Sequence, residues 1–347
     1  MYNNLNNKIN IGIVGSNFAV NVHVPAFRLN RNCHVLGITA NNLEQTKIIA
    51  AKNNIPKVYK NWQAMILDPN IDAISIAVPP YIQAKIILAA LEQKKAVFAE
   101  KPLTINLSDA EKIVTLAEKY NLVNMINFSF AGSKAFIAAK KNLNNLIKQI
   151  RYININWQSE TKTSVEKNSN HWKTKEDLGG GILFNFASHV LFYLEWLLQP
   201  DVIEPNSITA KISNLLGYNL GSNLLQLSAK LSNGAIVNIL LSTAAFMGDG
   251  HKIEIYGNNS SMILENKTNN IITGFKLNIA ERKINPAANR WDNIDVSNNT
   301  FYVNQDDRII ATASLINQFV DWMQTGDIQH PNFKDGLRVN FLLSSIT

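Results

Sequence analysis

The stretch IGIVGSNFAV, residues 11–20, has the order of a buried strand followed by a phosphate-binding turn. Its apolar run ends at Gly15, where the first glycine of a dinucleotide-binding turn, G-x-G-x-x-G, would stand. Asn17 and Val20 occupy the second and third glycine positions. Asn tolerates a positive φ, whereas Val20 requires the following helix to lie slightly farther from the strand. Taken alone, the stretch leaves a dinucleotide site and an ordinary strand-to-helix turn equally open.

The first 127 residues alternate short apolar segments with helical segments. Apolar strands separated by helices predict right-handed βαβ units and a parallel sheet that is covered on both faces. The predicted strands are INIGIVG (9–15), HVLGITA (34–40), AISIAVP (73–79), AVFAEKP (96–102) and VNMINFSF (123–130). We therefore predict an α/β protein whose N-terminal domain, residues 1–127, is a Rossmann doubly wound parallel sheet.

Residues 128–347 follow a different pattern, in which apolar and polar residues alternate along most segments. This alternation predicts an antiparallel sheet with one covered face. The predicted strands are IRYININWQS (150–159), NLLQLSAKLS (223–232), AIVNILLSTA (235–244), HKIEIYG (251–257), SSMILEN (260–266) and FKLNIA (275–280). The second domain, 128–347, is therefore predicted to be an α+β domain with a large, mostly antiparallel open sheet. Because an uncovered sheet face is commonly buried against another copy, we expect a homodimer or homotetramer through this sheet.

Composition narrows the class of protein. The 347 residues carry a formal net charge of +7, but the lysines are scattered and no arginine-rich stripe occurs, which argues against a nucleic-acid partner. No run of about 18 apolar residues is present, so we expect no membrane partner, and the polar N-terminus lacks a secretory pattern. The single cysteine, Cys33, fits a reducing compartment. These features predict a cytoplasmic protein, and the lack of a His, Cys, Asp and Glu cluster predicts no metal site.

Two strand ends bring distinctive residues to the edge where parallel sheets bind ligands. The third strand ends in AVPP and the fourth in AEKPL. At the end of the second strand, neutral residues stand where a carboxylate would hold the ribose hydroxyls of NAD, and no arginine is present to hold the 2′-phosphate of NADP. The cofactor is therefore NAD or NADP, with NADP slightly favoured. The predicted cofactor-binding residues are Gly15, Ser16, Asn17, Phe18, Ala40, Asn41, Pro79, Glu100 and Lys101.

The motif EKP, residues 100–102, is followed later by GGGILFNFASH, residues 179–189. With GSNFAVNVH (15–23), the two prolines after the third strand and NFKDGLRV (332–339), this combination resembles the Gfo/Idh/MocA family over nearly the whole chain. The resemblance implies a bound nicotinamide cofactor and an NAD(P)-dependent dehydrogenase or reductase. It also implies hydride transfer to or from a carbinol carbon of a sugar, a sugar nucleotide or a cyclitol.

Three residues carry the catalytic prediction. Lys101 matches the family's EKP lysine, His189 matches the histidine after the glycines, and Asn185 stands where the family has an aspartate. Alcohol oxidation needs a group that takes the hydroxyl proton, which suits the imidazole of His189. Lys101 can stabilise the negative charge that develops on the oxygen, whereas the amide of Asn185 orients a hydroxyl but takes no proton. With Trp172 and Lys173, these three are the predicted substrate contacts, and Lys101 and His189 are expected to meet in one groove.

A second interpretation is a cofactor-binding regulatory or partner protein of the same fold that performs no turnover. Asn185 and the missing glycines at 17 and 20 motivate it. The presence of both Lys101 and His189 argues against it, because a protein without catalysis has little physical need for the two together. The sequence therefore favours the enzyme.

Overall fold

The computed structural model describes residues 8–146, 149–166, 171–217, 220–296 and 306–346. The polar segment 1–7 and residues 147–148 lie outside the described residues. The strands are β1 (Ile9–Val14), β2 (Cys33–Thr39), β3 (Lys57–Val58), β4 (Ala73–Ile76), β5 (Ala96–Glu100), β6 (Asn124–Asn127), β7 (Ile150–Gln158), β8 (Thr209–Ser213), β9 (Leu224–Lys230), β10 (Ile236–Ser242), β11 (Gly250–Gly257), β12 (Ser260–Asn266), β13 (Lys276–Glu281) and β14 (Asp292–Ile294). The helices are α1 (Val24–Arg28), α2 (Leu43–Lys52), α3 (Trp62–Ile66), α4 (Pro80–Glu92), α5 (Leu107–Lys119), α6 (Lys134–Leu146), α7 (Lys162–Val165), α8 (Ser188–Leu198), α9 (Arg308–Thr325) and α10 (Phe333–Ser344).

Strands β1 to β6 form a parallel sheet in the order β3-β2-β1-β4-β5-β6. Every residue of β4 and of β6 is buried, as expected for strands that helices cover on both faces. The predicted doubly wound parallel sheet is confirmed. The strand order changes direction between β1 and β4, and ligands bind at such a switch point in open parallel sheets.

The helices of this sheet bury one apolar stripe each. In α5, Ala110, Ile113, Val114 and Ala117 recur at helical spacing and are all buried. The side chain of Asn42 caps α2 by accepting a hydrogen bond from the backbone N–H of Gln45 at 2.9 Å.

The chain divides into two compact units. One holds the described residues of 1–132 and 304–340, and the other holds those of 133–303 and 341–347. The predicted second domain covers 128–347, but residues 128–132, α9 and most of α10 belong to the first unit. There the ring of Phe319 packs edge-on against Phe98 of β5, with centroids 5.8 Å apart. Gly132 permits the close approach of α9, because a Cβ atom there would overlap the backbone carbonyl of Ala311.

Strands β7 to β14 form the sheet of the second unit, in the order β14-β13-β12-β11-β7-β10-β9-β8. Neighbouring strands are antiparallel except β7 and β10. Alternate residues of β12 are buried and the residues between them are half-buried, which is the pattern of a sheet with one covered face. On the covered side, Phe136 of α6 contacts the rings of Tyr193 in α8 and Phe275, with centroids 5.2 and 5.0 Å away. The predicted large, mostly antiparallel sheet is confirmed.

Five short elements were not predicted from the sequence, among them the four-residue helix α7. β3 has two residues, β14 has three, and α3 and β8 have five each. Segments of this length hold too few apolar residues to establish a period of two or of 3.6.

Among the described residues, one helical segment, 176–198, is long and apolar enough to cross a membrane by length and composition. Of its apolar window, 67% is buried inside the protein. The fully buried ring of Tyr193 belongs to this segment. Packing in the core of the second unit therefore accounts for its apolar composition.

Candidate active site

The turn after β1 is built around Gly15. This residue has a φ of +129°, and its N–H donates to the carbonyl of Thr39 at the end of β2, at 2.9 Å. A Cβ atom on Gly15 would overlap the carbonyl oxygen of Ala77, just after β4. Only glycine satisfies both the conformation and the space. The turn therefore has the open backbone cradle that a dinucleotide pyrophosphate requires at this sheet position.

The next residues leave that cradle open to solvent. Ser16 and Asn17 are exposed, and Phe18 is half-buried. The side-chain oxygen of Asn17 accepts a hydrogen bond from the amide of Asn21 at 3.1 Å. The carbonyl of Asn17 accepts from the N–H groups of Val20 and Asn21 at 3.0 and 2.9 Å. Asn17 therefore stabilises the first turn of the following helix.

A π turn at the start of the next helix explains how Val20 is accommodated at the third glycine position. The helix after the turn begins with Ala19–His23 in π conformation and continues as α1. It is Ala19, and not Val20, that faces the turn, because a Cβ atom on Gly15 would lie 3.0 Å from the Cβ of Ala19. Val20 is half-buried to one side. The extra residue of a π turn rotates the helix, so the helix does not need the outward shift that Val20 was expected to require.

The end of β2 is the predicted position of the adenine ribose. Ala40 is half-buried and Asn41 is exposed, so both are accessible to a ligand. The side chain of Asn42 caps α2. The carboxylate of Glu44 pairs with Lys47 at 2.7 Å. This end of the strand therefore presents neutral groups.

The EKP turn follows β5 at the same edge of the sheet. Glu100 is half-buried, and its Oε1 accepts hydrogen bonds from the Nε2 of His23 at 2.9 Å and the amide of Asn127 at 2.6 Å. The backbone N–H of Lys101 donates to Oε2 of Glu100 at 3.3 Å. The buried amide of Gln83 donates to the carbonyls of Glu100 and Pro102 at 2.6 and 2.8 Å. Three buried side chains, those of His23, Asn127 and Gln83, therefore hold the turn that contains Lys101.

Sequence reasoning missed the structural roles of His23 and Gln83. In the sequence, His23 ends the segment GSNFAVNVH, and Gln83 lies in the helix that follows AVPP. The hydrogen bonds to the EKP turn span 77 and 17 residues of chain, which a single sequence does not reveal.

Arg308 is a further charge of the first unit that the sequence did not indicate. Its guanidinium lies 4.7 Å from the centroid of the Phe18 ring and forms a paired contact with the Asp306 carboxylate. Burial acts to lower the pKa of Arg308, but Asp306, with Glu100 and Asp307 nearby, raises it overall. The dinucleotide turn therefore has a permanent positive charge beside it.

In the second unit, three consecutive glycines, residues 179–181, form the turn before the helix that carries Asn185 and His189. Gly179 and Gly181 have φ values of +85° and +75°, which L side chains rarely adopt. A Cβ atom on Gly180 would overlap the carbonyl of Lys173 and lie 2.5 Å from that of Trp172. The motif therefore brings the turn containing Trp172 and Lys173 against the start of the helix that carries Asn185 and His189.

The side chain of Asn185 holds the turn with Trp172 and Lys173 against the start of this helix. It lies in a second π turn, Leu183–Ala187, and its amide donates to the carbonyls of Gly181 and Lys173 at 3.0 and 3.2 Å. His189 is half-buried in α8, with its ring 6.3 Å from that of Trp157.

The predicted site residues therefore fall into two groups. The predicted cofactor residues lie at the carboxyl edge of the parallel sheet in the first unit. Trp172, Lys173, Asn185 and His189 belong to the second, where Asn185 hydrogen-bonds the carbonyl of Lys173. The expectation that Lys101 and His189 meet in one groove stays a prediction. No group of three or more potential metal ligands occurs among the described residues.

Both halves of the chain match models of one family. Residues 9–128 match the oxidoreductase family with an NAD-binding Rossmann fold, and residues 144–263 match the GFO/IDH/MocA C-terminal domain. The chain belongs to the Gfo/Idh/MocA family. This Gfo/Idh/MocA protein is an oxidoreductase with an NAD-binding Rossmann fold, and the predicted nicotinamide cofactor, NAD or NADP, is confirmed at that level.

Relatives cover most of the chain at low identity. An uncharacterised oxidoreductase of Synechocystis sp. is 25% identical over 283 residues, which are 78% of this chain and 75% of that protein. Myo-inositol 2-dehydrogenase of Thermotoga maritima is 21% identical over 261 residues, or 74% and 75% of the two chains. Levoglucosan dehydrogenase in complex with NADH and levoglucosan has a similar structure, with a TM-score of 0.86, 18% identity, and coverage of 98% of this chain and 96% of that one.

Proposed function

We propose that this Gfo/Idh/MocA oxidoreductase transfers hydride to or from a carbinol carbon of a sugar, a sugar nucleotide or a cyclitol. The observation that carries the proposal is the shared edge of the parallel sheet. There the glycine cradle follows β1 at the switch point, and the EKP turn with Lys101 follows β5, which is separated from β1 by β4 alone. The names of relatives that act on inositol and levoglucosan support the substrate class.

The proposed roles follow from the chemistry of each side chain. A bound nicotinamide supplies the hydride acceptor or donor. Lys101 donates a hydrogen bond to the reacting oxygen and stabilises its negative charge. His189 takes the hydroxyl proton in oxidation and returns it in reduction. Asn185 holds the turn containing Trp172 and Lys173, which contact the substrate.

We favour NADP slightly over NAD. The end of β2 has Ala40 and Asn41, and neither carries a negative charge that would repel a 2′-phosphate. A direct comparison of the two reduced cofactors tests this preference.

The proposed assembly is a homodimer or homotetramer through the outer face of the second sheet. Tyr152 of β7 and Ile236 of β10 are paired neighbours on that face, and each is more than one-third exposed. Apolar groups on a large open sheet favour burial against a second copy.

A binding and turnover experiment tests the proposed function. The protein is titrated with NADPH and NADH while fluorescence is followed, and the oxidised cofactors are then mixed with a panel that includes myo-inositol and levoglucosan. We expect binding, and cofactor reduction with at least one polyol. Absence of binding by either cofactor rejects the proposal, and binding without hydride exchange on any substrate supports the regulatory alternative.

Two variants test the site assignment. Lys101→Ala should abolish turnover, and His189→Ala should lower kcat about 100-fold or more, because each removes a group that acts on the reacting oxygen. Circular dichroism checks that both variants remain folded. Wild-type rates in both would show that the catalytic residues lie elsewhere.

A further inference from the structure

A buried polar cluster connects the dinucleotide turn to the EKP turn. His23, in the π turn after β1, is fully buried. Its Nδ1 lies 2.8 Å from the hydroxyl of Ser75 in β4, and its Nε2 lies 2.9 Å from Oε1 of Glu100 at the end of β5. Asn127 of β6 donates to the same carboxylate oxygen. The amide of Asn127 also contacts the hydroxyl of Thr312 in α9 at 3.3 Å.

The cluster fixes the proton on the imidazole. A carboxylate only accepts hydrogen bonds, so Nε2 of His23 carries a proton and donates it to Glu100. Nδ1 accepts from the hydroxyl of Ser75 when the ring is neutral. Glu100 therefore has two donors on one oxygen, and its other oxygen accepts the backbone N–H of Lys101.

The position of His23 depends on the π turn. A residue in a π turn is displaced relative to an ordinary α-helix, and here that displacement accompanies a ring that lies between β4 and β5. The same turn begins directly after the glycine cradle. His23 is therefore the shared contact between the segment that would hold the pyrophosphate and the segment that presents Lys101.

We propose that His23 is a positioning residue for Lys101. By donating to Glu100, it keeps this carboxylate turned into the cluster and away from the ammonium of the next residue. This inference rests on the proposed function for the catalytic role of Lys101. The hydrogen bonds that support it stand independently of turnover.

The charges that face Glu100 come from several elements. His23 approaches from the π turn, Lys101 follows directly after β5, and Arg308 acts on it from α9. Arg308 already forms a paired contact with Asp306 and lies over the ring of Phe18. Without His23, Glu100 keeps the amide of Asn127 and the backbone N–H of Lys101 as donors. The ammonium of Lys101, on the next residue, is then the cation nearest to it along the chain.

Two substitutions of His23 remove the imidazole ring, but only one of them keeps a hydrogen-bond donor to Glu100. In His23→Gln the amide nitrogen can take the place of Nε2 and still donate to Glu100. In His23→Asn the shorter side chain keeps only the position of Nδ1 near Ser75. His34→Asn is the matched control, because His34 is exposed and its Nδ1 contacts the Asn10 side chain at 3.0 Å.

The decisive measurement is the titration of Lys101 itself. The protein is labelled with ¹³C-lysine, the Lys101 signal is assigned by its loss in Lys101→Arg, and its pKa is measured by NMR. We expect His23→Asn to raise the pKa of Lys101 by about one unit, because a released carboxylate favours the ammonium form. His23→Gln and His34→Asn should leave that pKa close to the wild-type value. An unchanged Lys101 titration in His23→Asn overturns the inference.

Kinetics supply the second readout. In His23→Asn we expect kcat to fall between about 10- and 100-fold, and the limb of the kcat/KM pH profile that reports Lys101 to move to higher pH. His23→Gln should recover most of the rate. If His23→Asn is unfolded, Asn127→Ala replaces it, since it removes the other donor to Glu100 and predicts the same direction of shift. A wild-type protein without turnover would reject the proposed function, while the NMR titration would still decide the role of His23.

Discussion

At the scale of single residues, Asn185 has two competing requirements. Its amide donates to the carbonyls of Gly181 and Lys173, which a carboxylate cannot do. A carboxylate at the same position would stabilise a protonated His189, which an amide does only weakly. Asn185 therefore favours the structure of the turn that contains Trp172 and Lys173 over the basicity of His189.

Asn185→Asp tests this balance. We expect kcat to rise about tenfold or more, because the imidazolium of His189 gains a negative neighbour. We also expect the free energy of unfolding to fall by about 1–3 kcal/mol, because the two carbonyls lose their donor. Stopped-flow kinetics and chemical denaturation measure the two quantities on the same samples.

Asn185→Ala is the control for this substitution. It removes the donor without adding a charge, so it should show the loss of stability and no gain in kcat. If Asn185→Asp is destabilised and also slower than wild type, the main role of residue 185 is to hold Trp172 and Lys173 in place.

At the scale of elements, the sequence predicted the strands that carry the site better than the turns that shape it. The apolar runs that end at Val14 and Glu100 identify their strands directly, because buried parallel strands are apolar throughout. The two π turns, Ala19–His23 and Leu183–Ala187, left no such signal. An inserted residue shifts the helical pattern by one position, and a short segment does not distinguish that shift from ordinary irregularity.

The contact between β11 and α8 makes the stability of the second unit depend on pH. His251 of β11 stacks on Trp157, with centroids 4.2 Å apart, and contacts the hydroxyl of Tyr193 at 2.9 Å. Complete burial lowers the pKa of His251 from 6.5 to about 3. Between these two values the unfolded chain binds a proton that the folded chain does not. The contribution of His251 to stability is therefore complete above about pH 6.5 and is lost as the pH falls toward 3.

His251→Gln isolates this effect. Glutamine does not titrate and can still hydrogen-bond Tyr193, so the free energy of unfolding of the variant should depend less steeply on pH. We expect the slopes of the two proteins to differ by about 1.4 kcal/mol per pH unit between pH 4 and 6. Urea denaturation at a series of pH values measures the difference, and His34→Asn should retain the wild-type slope. Equal slopes in wild type and His251→Gln would show that His251 is protonated in the folded protein.

At the scale of the whole molecule, the order of elements along the chain predicted both sheets but not where α9 packs. The change from apolar to alternating strands identifies the two sheets. The amphipathic pattern of α9 predicts a helix with a buried face, and that pattern is equally compatible with either sheet. Phe319 selects the first unit through its contact with Phe98, and Gly132 allows the backbone of Ala311 to approach. Neither pairing has a signature in a single sequence.

The outer face of the second sheet leads to the prediction for the assembly. Near its centre the face is polar, with Glu254 accepting hydrogen bonds from Asn154 and Tyr256 at 2.9 and 3.2 Å. Tyr152 stacks on Tyr256, with centroids 6.0 Å apart, and is paired in register with Ile236. A second copy placed on this face would remove these apolar groups from water.

The double variant Tyr152→Glu with Ile236→Glu tests the assembly. Two carboxylates per copy on the shared face would be desolvated beside like charges, so association should be lost. Light scattering coupled to size-exclusion chromatography should give an oligomeric mass for the wild type and the mass of one chain for the variant. Ile284→Glu is the control, because Ile284 is fully exposed in the same unit but lies outside the strands. A wild-type protein that elutes as one chain at micromolar concentration, or a double variant that keeps the oligomeric mass, would exclude this face as the interface.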